Sequence, residues 1–171
     1  SHHDSILRKD RIADARRKLH NRKLAVSALR MPFSIEKEEI STDLIIKYVD
    51  IAASSGIPNV IIRVEEKVGF DILEEKLLKP IKKAEETDVN ILFETVGFLA
   101  NTENVIAIIN HFASAALGAS WNVRGTYFDA GESAEATIKT LGAYIKYVRL
   151  GDMKDGKTVL IGEGDLEVEK L

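Results

Sequence analysis

The chain has 171 residues, of which 45% are apolar and 30% charged, with a formal net charge of −3. This composition excludes a disordered polar chain, and the acidic balance excludes the basic face that nucleic-acid binding needs. No apolar run reaches the roughly 20 residues of a membrane span, and the absence of cysteine excludes disulfides, thiol catalysis and cysteine-zinc sites. The reading at this level is a single soluble domain over 1–171, cytoplasmic, with no nucleic-acid or membrane partner. No signal-peptide pattern opens the polar start Ser1-His2-His3-Asp4.

Hydrophobic period then alternates along the chain. Asp10 to His20 has helical spacing, with Ile12, Ala15 and Leu19 on one face. Leu24 to Leu29 is a strand candidate ended by Met31-Pro32. Ser41 to Ser54 predicts a helix capped by Ser41 or Thr42, with Leu44, Ile45, Tyr48, Val49 and Ala52 as its apolar stripe and Gly56 after its end. Asn59 to Val64 predicts a buried strand. Asp71 to Thr87 predicts a helix burying Ile72, Leu73, Leu77, Leu78, Ile81 and Ala84, with Pro80 either kinking it or starting a second helix. Asn90 to Thr95 predicts a strand, Thr102 to Phe112 a helix and Leu117 to Val123 a strand. Ser133 caps a helix whose Ala136, Ile138 and Leu141 are expected inside and which stops at Gly142. Tyr144 to Leu150 is the last clear strand, followed by a loop from Gly151 to Gly156 and a β-like piece at Thr158 to Ile161.

Strand and helix thus alternate five times, which predicts parallel strands joined by crossover helices. An open doubly wound sheet and a (β/α)₈ barrel both fit, but no glycine-rich phosphate loop of the open sheet is present. Ligands in such folds meet the carboxyl ends of the strands. The polar residues there are Arg30, Arg63 with Glu65, Glu94, Asn122 with Arg124, and Arg149 with Asp152. Glu94 is the sharpest of these, because the apolar Ile91-Leu92-Phe93 delivers a carboxylate to its tip, suited to metal ligation or proton transfer. The histidines His2, His3, His20 and His111 have no metal-ligand spacing, and no Ser stands in a nucleophile elbow.

Several motifs carry a resemblance: Phe93-Glu94-Thr95, Trp121-Asn122, Ala130-Gly131-Glu132-Ser133, Leu141-Gly142-Ala143-Tyr144-Ile145-Lys146, Arg149-Leu150-Gly151-Asp152 and Gly162-Glu163-Gly164-Asp165. Together they resemble the sugar phosphate isomerase/epimerase family of xylose isomerase-like barrels, related to the AP endonuclease family 2 fold. The resemblance is specific over residues 90–166 and looser over 24–89. It implies a parallel (β/α) barrel of the TIM type, incomplete here with five to six of eight strands. It also implies a divalent metal held by Glu, Asp, His and a second Glu on late strands. Glu94 matches the first ligand, whereas Asn122 stands where the Asp belongs and Arg149 where the His belongs. A guanidinium is a permanent cation with no lone pair to offer a metal.

The resemblance therefore implies a sugar isomerase/epimerase-like protein whose metal site is degenerate, serving as a binding or accessory module or as part of a larger enzyme. No cofactor is then expected. If the chain were instead an active metal-dependent isomerase or epimerase, Mn, Mg, Co or Zn would sit at Glu94. Glu94 would then transfer the proton, and Arg149 or Lys154 would stabilise the enediolate. A third alternative is an interaction module assembling through open sheet edges. Glu94 and Arg149 are the expected catalytic pair, with Arg63, Asn122, Arg124, Asp152 and Lys154 as substrate-binding residues. The expected ligand is a small sugar or sugar phosphate, and the expected partner is a second copy of the chain or a completing chain.

Overall fold

The computed structural model describes residues 9–171; the expectations for His2 and His3 lie outside them. Helix α1 (Lys9–Asn21) is followed by strand β1 (Leu29–Ser34), helix α2 (Thr42–Ser55), β2 (Asn59–Arg63), α3 (Phe70–Thr87), β3 (Asn90–Glu94), α4 (Thr102–Phe112), β4 (Leu117–Asn122), α5 (Ala134–Leu141) and β5 (Ile145–Arg149). The five strands form one parallel sheet in the order β1-β2-β3-β4-β5. This order has no reversal, and a reversal is what defines the doubly wound sheet, so the strands form an arc of a barrel. No helix among the described residues is long and apolar enough to cross a membrane.

Alternation along each strand sorts the side chains onto two faces. Met31, Val60, Ile62, Ile91, Phe93, Leu117 and Ala119 belong to one buried cluster with Ile45, Val49 and Ala52 of α2, Leu73, Leu77 and Ile81 of α3, and Val105, Ile108 and Ile109 of α4. That face is the core. The intervening residues Ile61, Leu92, Glu94, Ser120 and Asn122 stand on the other face, the concave one in a barrel arc. The same alternation that builds the core thus lines the concave side.

The helices start and stop as local chemistry dictates. Ser41 accepts a hydrogen bond from the Leu44 N–H and Ser133 from the Ala136 N–H, which satisfies donors the first turns leave open. Gly56 ends α2 in the left-handed region at φ 64°. Helix α3 continues through Pro80, so of the two outcomes expected there no second helix begins.

Four local expectations are corrected. Strand β1 begins at Leu29, whereas Leu24 and Val26 are exposed and precede it. Pro32 did not end the strand because it sits in an irregular stretch between the Arg30 and Ser34 pairings, where a ladder N–H is not required. In α3 the buried stripe is Leu73, Lys76, Leu77, Pro80, Ile81 and Ala84, which leaves Ile72 and Leu78 exposed. Lys76 can stand on that stripe because its ammonium donates to the Ile40 and Lys37 carbonyls. In α5 the buried positions are Ala134, Thr137 and Leu141, so Ala136 and Ile138 face solvent; Thr137 is inside because its hydroxyl donates to Glu132. The tail is an antiparallel hairpin of β6 (Asp152–Lys154) and β7 (Lys157–Val159), in place of one strand at Thr158 to Ile161.

Adjacent leucines of α3 separate packing from propensity. Leu77 is fully buried and Leu78 is 56% exposed. Leu77→Ala should cost about 2–5 kcal/mol by lost burial and cavity formation, and Leu78→Ala no more than about 0.5 kcal/mol. Urea titrations of the two variants check this, and equal losses would contradict the orientation of α3.

Candidate functional site: a carboxylate between two guanidinium groups

Glu94 closes β3 on the concave face, and its residue is only 1% exposed. A buried carboxylate is costly unless paired, and this one has a partner on each oxygen. Arg30 donates to Oε2 through Nε at 2.7 Å, and its Nη2 lies 2.7 Å from the same oxygen. Asn122 donates from Nδ2 to Oε1 at 3.1 Å. Arg149 places Nη1 3.7 Å from Oε1, within ion-pair range but too far for a hydrogen bond. Four strand residues from β1, β3, β4 and β5 therefore meet at one point.

Two departures from regular pairing build this meeting. Ala119 pairs with Ile145 but Ser120 pairs with Tyr147, so β5 carries one extra residue there. A one-residue slip flips a strand's faces. The extra residue is what sets Arg149, rather than Val148, beside Asn122 on the concave face. Arg30 pairs with Ile61 and is thus level with Leu92, one layer below Glu94. Its side chain crosses β2, two strand spacings of about 4.8 Å, to reach the carboxylate. Sequence reasoning marked Arg30 as a polar strand end but gave it no role, because the strand was expected to finish before it.

The remaining candidate residues are placed elsewhere. Arg63 turns along its own end of the sheet: Nη1 donates to Glu65 at 2.9 Å and Nη2 to the Pro32 carbonyl at 2.7 Å, while its buried Nε has no hydrogen-bond partner. Arg124 donates from Nε to the Met153 sulfur at 3.0 Å. Lys154 is exposed on the β6–β7 hairpin and makes no hydrogen bond or ion pair with the Glu94 group.

Asp152 is buried and accepts four backbone N–H bonds: Met153 and Leu166 on Oδ1 at 2.8 and 3.0 Å, Gly162 and Gly164 on Oδ2 at 2.9 Å each. Those bonds fill the acceptor capacity of a carboxylate. Asp152 thus folds the Gly162-Glu163-Gly164-Asp165 segment around itself and has nothing left for a ligand. Gly164 is required there, since a Cβ would stand 2.2 Å from the Asp152 carboxylate. Burial works to raise the Asp152 pKa, and the four N–H donors outweigh it, holding the carboxyl below its ordinary value.

The helical turn after β4 braces the site from behind. Residues Gly125–Asp129 form one π-helical turn, and Gly125 approaches so closely that a Cβ would lie 2.1 Å from the Thr95 carbonyl. Trp121 donates from Nε1 to Thr126 at 2.9 Å, and the Thr95 hydroxyl accepts from the Asn122 N–H at 2.8 Å. These contacts fix the backbone on either side of Asn122. A separate cleft of about 550 Å³ opens between α1 and the amino-terminal end of the sheet, lined by Leu19, Leu24, Val26, Leu29, Ile51 and Ile57 among others. It holds none of the strand-tip residues and lies at the end opposite the Glu94 group.

The donor set does not fit a divalent metal. Glu94 is the one anionic oxygen donor in the group, Asn122 supplies a neutral amide, and the other two positions are guanidinium groups that repel a cation. Among the described residues no three His, Asp or Glu side chains stand close enough to hold an ion.

The fold has close counterparts among solved structures, although no protein-family model and no curated protein matches the sequence. A D-tagatose 3-epimerase-like protein matches with a TM-score of 0.78 at 16% identity, over 96% of this chain and 70% of its own. A xylose isomerase domain protein from Planctomyces limnophilus gives 0.79 at 14% identity, over 98% and 71%. The IolI protein, solved with a bound zinc atom, gives 0.78 at 16% identity, over 98% and 68%. The architecture of this chain is thus that of the xylose isomerase-like TIM barrels, with five parallel strands of the barrel in the described residues.

The Asp152 arrangement is testable. A carboxyl whose pKa is lower folded than unfolded contributes stability above the unfolded value near pH 4, and loses it as pH falls through the folded value. Asp152→Asn should therefore lower stability at neutral pH and flatten the acid side of the stability profile. Amide exchange at Gly162, Gly164 and Leu166 should rise in the variant. Unchanged protection of those three amides would contradict the arrangement.

Proposed function

We propose that this chain is a sugar isomerase/epimerase-like protein in which fixed cations have replaced the metal, and that it binds a small sugar or sugar phosphate at the Glu94 group as a binding or accessory module, or as part of a larger enzyme. The observation that carries this reading is the state of Glu94. Its two oxygens are taken by Arg30 and Asn122, with Arg149 beside them. The binding end follows from the parallel fold, in which strand carboxyl ends collect the ligand. The neighbours named as epimerases and isomerases support the ligand class.

The active metal-dependent alternative needs Glu94 free to coordinate an ion, and the ion pairs work against it. Displacing Arg30, whose side chain is 38% exposed, would return its guanidinium to water and give up its charge-assisted contacts with Glu94, worth about 1.5–3 kcal/mol each. Arg63 and Arg124 are at most peripheral to the ligand in this reading, and Asp152 and Lys154 are outside it.

Titration of the purified chain with Mn²⁺, followed by calorimetry and electron paramagnetic resonance, should show no stoichiometric site. Asn122→Asp with Arg149→His rebuilds three oxygen and nitrogen donors with Glu94, and should yield weak Mn²⁺ binding without aldose–ketose turnover. Stoichiometric Mn²⁺ binding by the unaltered chain, abolished in Glu94→Gln, would overturn the reading.

A further inference from the structure

The charge arithmetic of the Glu94 group is specific enough to choose among ligands. Two guanidinium groups, Arg30 and Arg149, face one carboxylate, so the group carries a single net positive charge. Of the other charged residues at this end, Arg63 is paired with Glu65, Arg124 keeps its positive charge beside the neutral Met153 sulfur, and the Glu36 carboxylate supplies a negative one where it accepts from Ser34 and the Glu65 and Glu66 N–H groups. Asn122 is neutral and used on both sides, since its Nδ2 donates to Glu94 while its Oδ1 accepts from the Gly125 N–H at 3.4 Å.

The two arginines are not equivalent. Arg30 is anchored by two donor atoms on Oε2. Arg149 has a side chain 60% exposed, and among the described residues no hydrogen bond occupies any of its five N–H donors. The structure therefore holds one guanidinium as a fixed counter-charge and presents the other to solvent.

We infer that the ligand is a polyhydroxy monocarboxylate, a sugar acid, whose carboxylate docks on Arg149 while the Arg30–Glu94 pair sets the charge the site accepts. This rests on the sugar-binding reading above and sharpens it. The planar fork of a guanidinium matches a carboxylate with two parallel hydrogen bonds. A carboxylate brings one negative charge, which balances the group. A phosphate monoester carries about 1.5 to 2 negative charges near pH 7 and leaves an excess beside the buried Glu94 carboxylate. A neutral sugar leaves the Arg149 charge unanswered.

The test is calorimetry and NMR titration of the full chain with D-gluconate, D-glucose and D-glucose 6-phosphate at matched ionic strength. D-gluconate should bind at least about tenfold tighter than D-glucose, the scale of a charge-assisted bidentate contact, and tighter than the phosphate ester. Arg149→Met should remove that advantage, and Arg149→Lys should keep part of it, because the charge stays while the fork is lost. Glu94→Gln raises the net charge from one to two and should shift the preference toward D-glucose 6-phosphate, a change of ranking that a purely structural role would not produce. If Glu94→Gln fails to fold by circular dichroism, the exposed Arg149 variants still decide the question. Equal binding of gluconate and glucose, a phosphate preference in the unaltered chain, or an Arg149→Met variant with the original ranking would each overturn the sugar-acid inference and leave the sugar-binding reading standing. Failure of all three ligands to bind would overturn both.

Discussion

A buried carboxylate must be answered by charge and hydrogen bonds, and in this protein that demand falls on Glu94. Its position at the end of an apolar strand places it where water cannot solvate it fully. Arg30 answers from two strands away, and Asn122 and Arg149 from the next two. The concave face is organised by this requirement: the strands that carry the partners must be parallel and curved for four side chains to converge, with Arg30 reaching across β2.

In a metal-bearing site of this architecture a divalent ion would gather its ligands at this same end of the sheet. Here the carboxylate is satisfied from within the chain. The trade has a physical consequence. A metal leaves coordination positions for substrate oxygens and polarises them, whereas a guanidinium offers directional N–H donors and a charge that cannot be removed. The other conspicuous carboxylate, Asp152, shows the opposite use of the same chemistry. Surrounded by four backbone N–H groups, it organises a loop.

Much of the helix pattern was legible because caps and periodicity are local. Ser41, Gly56 and Ser133 mark their helix ends by hydrogen bonds and backbone angles that involve only a few neighbouring residues. The stripes of α3 and α5 were less legible. In these helices polar residues interrupt every apolar arc, and which arc faces the sheet depends on what waits there. Lys76 and Thr137 entered the buried face because carbonyls at Lys37 and Ile40, and the carboxylate of Glu132, were in place to receive them.

The sequence by itself determined the alternation of strand and helix, the parallel sheet this implies, and the arrival of Glu94 and Asn122 at strand ends, since each follows from apolar spacing over a handful of residues. Tertiary structure decided which residues meet. The extra residue in β5 turned Arg149 onto the concave face, and the late start of β1 put Arg30 inside the sheet rather than beyond it. Register is a relation between two strands and is set by packing across them. No pattern within a single strand records that the partner of a carboxylate at position 94 is an arginine 64 residues earlier.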